Sequence, residues 1–442
     1  MNKQNRATDK TRRAVPKALS FAAALPFTAA AAVFFRRAPL FGAALMLLSA
    51  WAFVSARRGR SLPGTLFAAA LFCCGASAML IKGYFPVLLL FSLSFLLAAA
   101  GLFAGLAKQP EGKGKSRVFA RLTAAFLVFL FALPVALGWF PDPLFRYGMQ
   151  EGVMDHVPVP ADTVREDGVR VITDVEYPSL YPNNTMLLLL SPENRGTLFF
   201  VHGGGFVLGD KNAAFNAYFA RWLAAGYNAV SFDYALAPQY RAEDQLTQCG
   251  EALRFFMEHA PEWGVDRNRI VLVGESAGGC LSGLLAAASV SPETARALGL
   301  PTAAEYGAPI RGWISIGGLV DAPRFGETDD DLAAWAFNLM GVSAFGSPAY
   351  AASEKAARLS VLTHASAAFP PAYLSDGNRG TFTEQGKDLA RKLRALGVRV
   401  ETNFVPAEAG VRGHVFELYP DADPLAAENF ERTLAFVKEI LS

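Results

Sequence analysis

Between residues 18 and 140 apolar positions run on with little interruption, whereas beyond residue 141 they come in short blocks separated by polar turns. The first pattern resolves into five stretches, 18–35, 38–56, 62–81, 87–107 and 122–140. Each approaches the ~20 residues that a helix needs to cross a bilayer core. Five such runs in series predict an all-α transmembrane region over 18–140 behind a basic tail, 1–17. No charged residue interrupts them, which favours an anchor over a transporter.

Orientation follows from the distribution of Lys and Arg. The tail carries Lys3, Arg6, Lys10, Arg12, Arg13 and Lys17, and two alternate connections carry Arg57, Arg58, Arg60, Lys108, Lys113, Lys115, Arg117 and Arg121. The remaining connections hold only Arg36, Arg37 and Lys82, a ratio of 14 to 3. With five spans, the tail is cytoplasmic and the C-terminal part lies on the extracytoplasmic side. The expectation is a multi-pass protein of the cell membrane.

The second pattern alternates. Strands are predicted at 196–201, 228–234, 269–273, 311–316, 371–375 and 398–405, and helices at 214–226, 242–258, 277–289, 383–397 and 424–441. Strands alternating with helices predict an α/β domain with a mainly parallel sheet covered on both faces, spanning 168–442. The proline-rich segment 141–167 reads as a linker. Residues 321–361 read as an insertion that forms part of a lid, with Trp335, Phe337, Leu339 and Met340 available either to line an acyl pocket or to pack within the lid. Asp329, Asp330 and Asp331 read as a helix start, because aspartates suit that end of the macrodipole.

Composition narrows the chemistry. The chain is 52% hydrophobic with a net charge of +2, which argues neither for nor against a nucleic-acid partner; none is expected. Four cysteines, Cys73, Cys74, Cys249 and Cys280, form no CxxC or Cys/His cluster. Buried free thiols are expected, and no metal.

Three motifs carry chemistry. Residues 274–279 read GESAGG, directly after the strand RIVLV and directly before a helix. That is the setting of a nucleophile elbow, with small residues around a sharp turn and Ser276 projecting at the sheet edge. Residues 202–206 read HGGGF after the strand GTLFFV. Glycines let backbone N–H groups aim at an oxyanion, so Gly204 and Gly205 would act with Ala277, the residue after the nucleophile. His202 is read as a brace for that loop. His414, in GVRGHVF after the last predicted strand, stands where the base of a Ser, acid, His order is expected.

With these motifs in the order and spacing HGGGFVLGD (202–210), DYALAP (233–238) and GESAGG (274–279), residues 196–442 resemble the hormone-sensitive-lipase-like branch of the α/β-hydrolases, with its carboxylesterase and feruloyl-esterase-like relatives. The resemblance implies ester hydrolysis without metal or cofactor. It implies Ser276 as nucleophile, His414 as base, and Gly204, Gly205 and Ala277 as oxyanion donors. The substrate class is a small-molecule or lipid ester. The third triad member departs from the family pattern, because the usual acid position after the Pro370-Pro371 strand falls near Gly380. Asp376 is the nearest acid and Glu384 the next. Asn378 could orient the imidazole without charge, and the triad could also lack an acid. Transfer of the acyl group to an alcohol other than water, a non-catalytic binding module and a transporter with a fused domain stay open as other readings.

Overall fold

The computed structural model describes Ser92 and residues 136–137, 139–150, 158–212 and 216–442. The basic tail, Cys73, Cys74 and nearly all of the five apolar stretches therefore lie outside the described residues. Among the described residues no helix is long and apolar enough to cross a membrane. Pro141–Ser442 forms one unit, and the fold below is that of this unit.

Nine strands make one sheet: β1 (Ala161–Val164), β2 (Arg170–Glu176), β3 (Thr185–Leu190), β4 (Thr197–Val201), β5 (Asn228–Phe232), β6 (Ile270–Glu275), β7 (Ile310–Ile316), β8 (Ala372–Asp376) and β9 (Val400–Phe404). Their order is β1-β2-β3-β5-β4-β6-β7-β8-β9. The first three pair antiparallel, β3 lies antiparallel to β5, and the sheet is parallel from β5 to β9. The principal helices are α1 (Asn216–Ala224), α2 (Ala242–His259), α3 (Ala277–Val290), α4 (Asp331–Phe345), α5 (Thr383–Ala395) and α6 (Pro424–Ile440).

Every residue of β4, β5 and β6 is buried. Helices cover both faces of these strands, which is why their sequences read as unbroken apolar runs. Along β4, Leu198 and Phe200 enter a cluster with Trp222 of α1 and Phe430 and Val437 of α6. Phe199 turns the other way, with its ring 5.3 Å from that of Phe256 in α2. Burying each such side chain contributes about 1.5–3 kcal/mol. Trp222 is enclosed edge-on by Tyr227 at 5.6 Å and Phe430 at 5.0 Å between ring centroids.

Two expectations change. The segment 141–167 is not a plain linker: it contains a π-helical turn, Leu144–Met149, and β1. Phe145 of that turn packs with Val207, Ala237 and Leu339, and the amide of Gln150 donates to the carbonyls of Val207 at 2.6 Å and Ala237 at 2.5 Å. The antiparallel hairpins β1 to β3 are also absent from the alternating scheme. All four residues of β1 are exposed, so it leaves no apolar signature.

Asp321 and Ser360 meet across the stretch read in the sequence as an insertion. Between the end of β7 at Ile316 and the start of β8 at Ala372, the two form an isolated bridge, and Ser360 Oγ donates to the Asp321 carboxylate at 2.8 Å. α4 lies between them. Asp330 caps it by accepting from the N–H groups of Leu332 and Ala333, as expected for a helix start.

At the C-terminal edge of the sheet, α3 packs directly on β4. A methyl placed on Gly278 would lie 2.0 Å from the carbonyl oxygen of Val201, and one on Gly274 would lie 2.1 Å from that of Gly278. These contacts are backbone on backbone and cannot be relieved by a rotamer change. Gly278→Ala is therefore expected to destabilise the protein by about 1–3 kcal/mol or more, read as a fall in denaturation midpoint; a wild-type midpoint would contradict this packing.

Candidate active site

β6 ends at Glu275 and α3 starts at Ala277, so Ser276 alone makes the turn. Its backbone stands at φ 53, ψ −117, a region that side chains other than glycine rarely occupy. Three hydrogen bonds hold it there. Ser276 N–H donates to Ile316 O at 3.0 Å, and Ser276 O accepts from Gly279 N at 3.0 Å and from Leu319 N at 2.9 Å.

His414 Nε2 lies 2.9 Å from Ser276 Oγ. Its ring is bracketed edge-on by Phe337 of α4, at 5.5 Å, and Phe382, at 5.0 Å. Its Nδ1 lies 3.6 Å from Asp376 Oδ1, just beyond hydrogen-bond range, with no closer partner among the described residues. Asp376 closes β8, is 2% exposed, and accepts from the N–H groups of Gly377 and Phe382, each at 2.8 Å. Catalytic hydrogen bonds are often long without substrate and tighten in the complex.

The other third-member candidates sit elsewhere. Glu384 is in the first turn of α5 with its side chain 78% exposed, paired to Lys387, and does not meet the imidazole. Asn378 does not orient the ring. Its Oδ1 accepts from Arg412 N at 2.9 Å and its Nδ2 donates to Gly410 O at 2.8 Å, so it fastens the loop that carries His414.

The glycine loop supplies backbone donors. Gly204 and Gly205 have φ +91 and +63, and no described residue accepts from the N–H groups of Gly204, Gly205 or Ala277. Met340 lies against Gly205, where an added methyl would sit 2.3 Å from its Sδ. Met340 also packs, with Trp335, on the cluster of Phe145, Val207, Ala237 and Leu339. His202 is fully buried, stacks on Tyr234 with ring centroids 4.1 Å apart, and places Nδ1 3.0 Å from Gly203 O. Burial lowers its basicity, in keeping with a brace.

Glu275, just before Ser276, went unnoticed in the sequence. It accepts from Gly203 N–H at 2.7 Å, tying the elbow to the glycine loop. Burial raises its pKa, against the opposing pull of His414 and of the Gly203 N–H. An acid closing a fully apolar strand was the available signal. Cys249 and Cys280 are buried free thiols. Among the described residues no group of three or more His, Cys, Asp or Glu side chains could hold a metal ion.

Residues 198–416 match the family described as alpha/beta hydrolase fold. Carboxylesterase NlhH of Mycobacterium tuberculosis is 31% identical over 262 residues, covering 56% of this chain and 75% of that protein. Lipase 2 of a Moraxella species is 37% identical over 99 residues, 22% of this chain and 23% of that one. Among solved structures, esterase B of Lactobacillus rhamnosis superposes with a TM-score of 0.54 at 24% identity, covering 64% of this chain and 88% of that one. The chain belongs to the α/β-hydrolase family.

Within this α/β-hydrolase site a further carboxyl is enclosed. Glu417, three residues past His414, is fully buried, and neither of its oxygens has a hydrogen-bond partner among the described residues. Burial, reinforced by the nearby Asp376 charge, pushes its pKa from 4.5 up to about 8. A carboxyl raised in the folded state stabilises most below its unfolded value and loses that contribution as pH rises through the folded one. Stability should therefore fall by on the order of a few kcal/mol between about pH 4.5 and about pH 8. Glu417→Gln is expected to flatten this dependence in thermal melts across that range; an unchanged pH profile would count against a neutral Glu417.

Proposed function

We propose that this carboxylic ester hydrolase works through an acyl-enzyme on Ser276, with His414 as general base, Asp376 as the acid behind it, and the Gly204, Gly205 and Ala277 amides as oxyanion donors. The observation that carries this reading is the 2.9 Å approach of His414 Nε2 to a serine hydroxyl, on a strained turn flanked by unclaimed backbone N–H groups.

In the first step Ser276 Oγ attacks the ester carbonyl while His414 Nε2 takes its proton. Negative charge moves to the carbonyl oxygen, where donors already aimed at it stabilise the tetrahedral state without reorganising. The imidazolium protonates the leaving alkoxide, and the alcohol departs. Water then attacks the acyl-enzyme, giving its proton to His414; as the tetrahedral state collapses the imidazolium returns that proton to Ser276 Oγ, and the carboxylic acid is released. Asp376 faces Nδ1, so it favours the tautomer with Nε2 free to accept and stabilises the imidazolium. Its two backbone hydrogen bonds keep it in place through the cycle.

We further propose that residues 18–140 anchor the hydrolase in the cell membrane with the catalytic unit on the extracytoplasmic side. The support is the five uncharged apolar stretches and the 14-to-3 bias of positive charge among their connections. Protease access to a C-terminal tag in intact cells tests the side, since a protected tag would place the unit in the cytoplasm.

Ser276→Ala and His414→Ala are each expected to lower kcat by about 10⁴-fold or more, and Asp376→Asn by about 10²- to 10⁴-fold. Fluorophosphonate labelling should disappear in Ser276→Ala. Labelling that persists there, or ester turnover that survives, would refute the assignment.

A further inference from the structure

Lys211 closes the glycine loop that opens at His202, and it is only 2% exposed. Its Nζ lies 2.8 Å from Asp174 Oδ1 and 2.7 Å from Asp233 Oδ2. Its backbone N–H donates to Asp233 Oδ1 at 2.6 Å, so one carboxylate grips both the main chain and the side chain of the same residue. Asp233 follows β5 and also accepts from Thr185 Oγ1 of β3 at 2.8 Å. Asp174 belongs to β2, at φ 51, where pairing with β3 slips register, and its second oxygen accepts from Val159 N–H at 2.8 Å. One ammonium thus joins the antiparallel hairpins, the end of β5 and the end of the glycine loop.

Burial works against the charge on Lys211, but the two aspartates outweigh it and keep the amine protonated. Such a cluster is a poor way to gain stability. Desolvating each ion costs several kcal/mol, and apolar side chains of equal volume often hold a fold as well. What charge adds is direction, because an ammonium between two carboxylates has one satisfactory position.

That direction matters for the loop. Its upstream end is set by β4 and by Gly203 N–H on Glu275. Its middle is held at Phe206 O, which accepts from Ala237 N at 2.9 Å and from Gln245 Nε2 at 2.8 Å. Its downstream end is fixed where Asp233 grips Lys211. Gly204 and Gly205, whose backbones no side chain can stiffen, lie between the first two of these points, and Gly204 O accepts from Val207 N at 3.1 Å and Leu208 N at 3.0 Å, which ties them to the downstream stretch that Lys211 ends.

We propose that Lys211 is a positioning residue for the oxyanion donors: clamped by Asp174 and Asp233, it fixes the far end of the His202–Asp210 loop and so aims the Gly204 and Gly205 amides. This rests on those amides serving as oxyanion donors, as argued above. The hairpins that precede the parallel sheet thereby become part of the catalytic apparatus without touching substrate.

The test uses the full chain and p-nitrophenyl acetate, with active sites counted by fluorophosphonate titration and a trifluoromethyl ketone as a tetrahedral-adduct inhibitor. Lys211→Met is expected to lower kcat per titrated site by about 10- to 100-fold, part of the loss known for removing one such donor, with KM nearly unchanged. The inhibition constant of the ketone should rise by a similar factor, because its adduct carries the same oxyanion. Wild-type kcat per site and wild-type ketone affinity in Lys211→Met would overturn the proposal, even if less folded enzyme is recovered. Should Lys211→Met fail to fold, Asp174→Asn decides, since it leaves Lys211 paired with Asp233. A severalfold fall in kcat at constant KM supports the proposal, and unchanged kcat overturns it. A Ser276→Ala enzyme that still turns over ester would instead bring down the underlying assignment, a result distinct from either variant behaving as wild type.

Discussion

The turn at Ser276 is possible only because backbone meets backbone on either side of it. Gly278 abuts the carbonyl of Val201, Gly274 abuts that of Gly278, and the serine between them is left at φ 53. Strain of this kind costs about 1–3 kcal/mol and persists only where neighbours over-determine it. Here Ile316, Gly279 and Leu319 do so through the serine's own N–H and C=O. The same contact that bends the chain also sets α3 against the end of β4, where the glycine loop begins. The proposed nucleophile and oxyanion donors are therefore placed by one packing event rather than by two independent loops.

Around that contact the buried acids divide the labour. Glu275 links elbow to glycine loop through Gly203, and Asp376 spends its oxygens on two backbone amides while facing His414. Glu417 stands close enough to Asp376 to feel its charge, and two carboxylates in one dry region do not both ionise readily. The rings of Phe337 and Phe382 flank the edges of the imidazole, placing apolar, weakly screening surface beside the ion pair that the proposed acylation would form. One of those rings comes from α4, inside the insertion.

Where burial on both faces writes a continuous apolar run, as in TLFFV and IVLVG, the strand is plain in the sequence, and the HGGGF and GESAGG motifs stand directly after such strands, whereas His414 follows the half-buried β9 and was read from its place late in the chain. The hairpins were not plain. β1 is wholly exposed, and β2 carries a bulge at Asp174 that breaks the alternation a half-buried strand would show. Asp376 was legible as an acid at a strand end, but its distance from Nδ1 depends on how Asn378 ties the His414 loop to β8, which residue spacing does not encode. Glu275 and Lys211 were hidden for a different reason. Each is a charge in a buried place, and only the partner's position, 72 residues away for Gly203 and 22 for Asp233, explains its presence.

The bridge between Asp321 and Ser360 has an evolutionary corollary. An excursion whose two feet are tied together asks little of the sheet whatever its size, because the entropy of closing a loop grows only with the logarithm of its length. Helices can be added, trimmed or replaced above that knot while β7 and β8 keep their register beneath it. Descendants of this chain can thus exchange the helix that brings Phe337 to His414 and Met340 to Gly205 as a cassette, leaving Ser276 in its inherited frame.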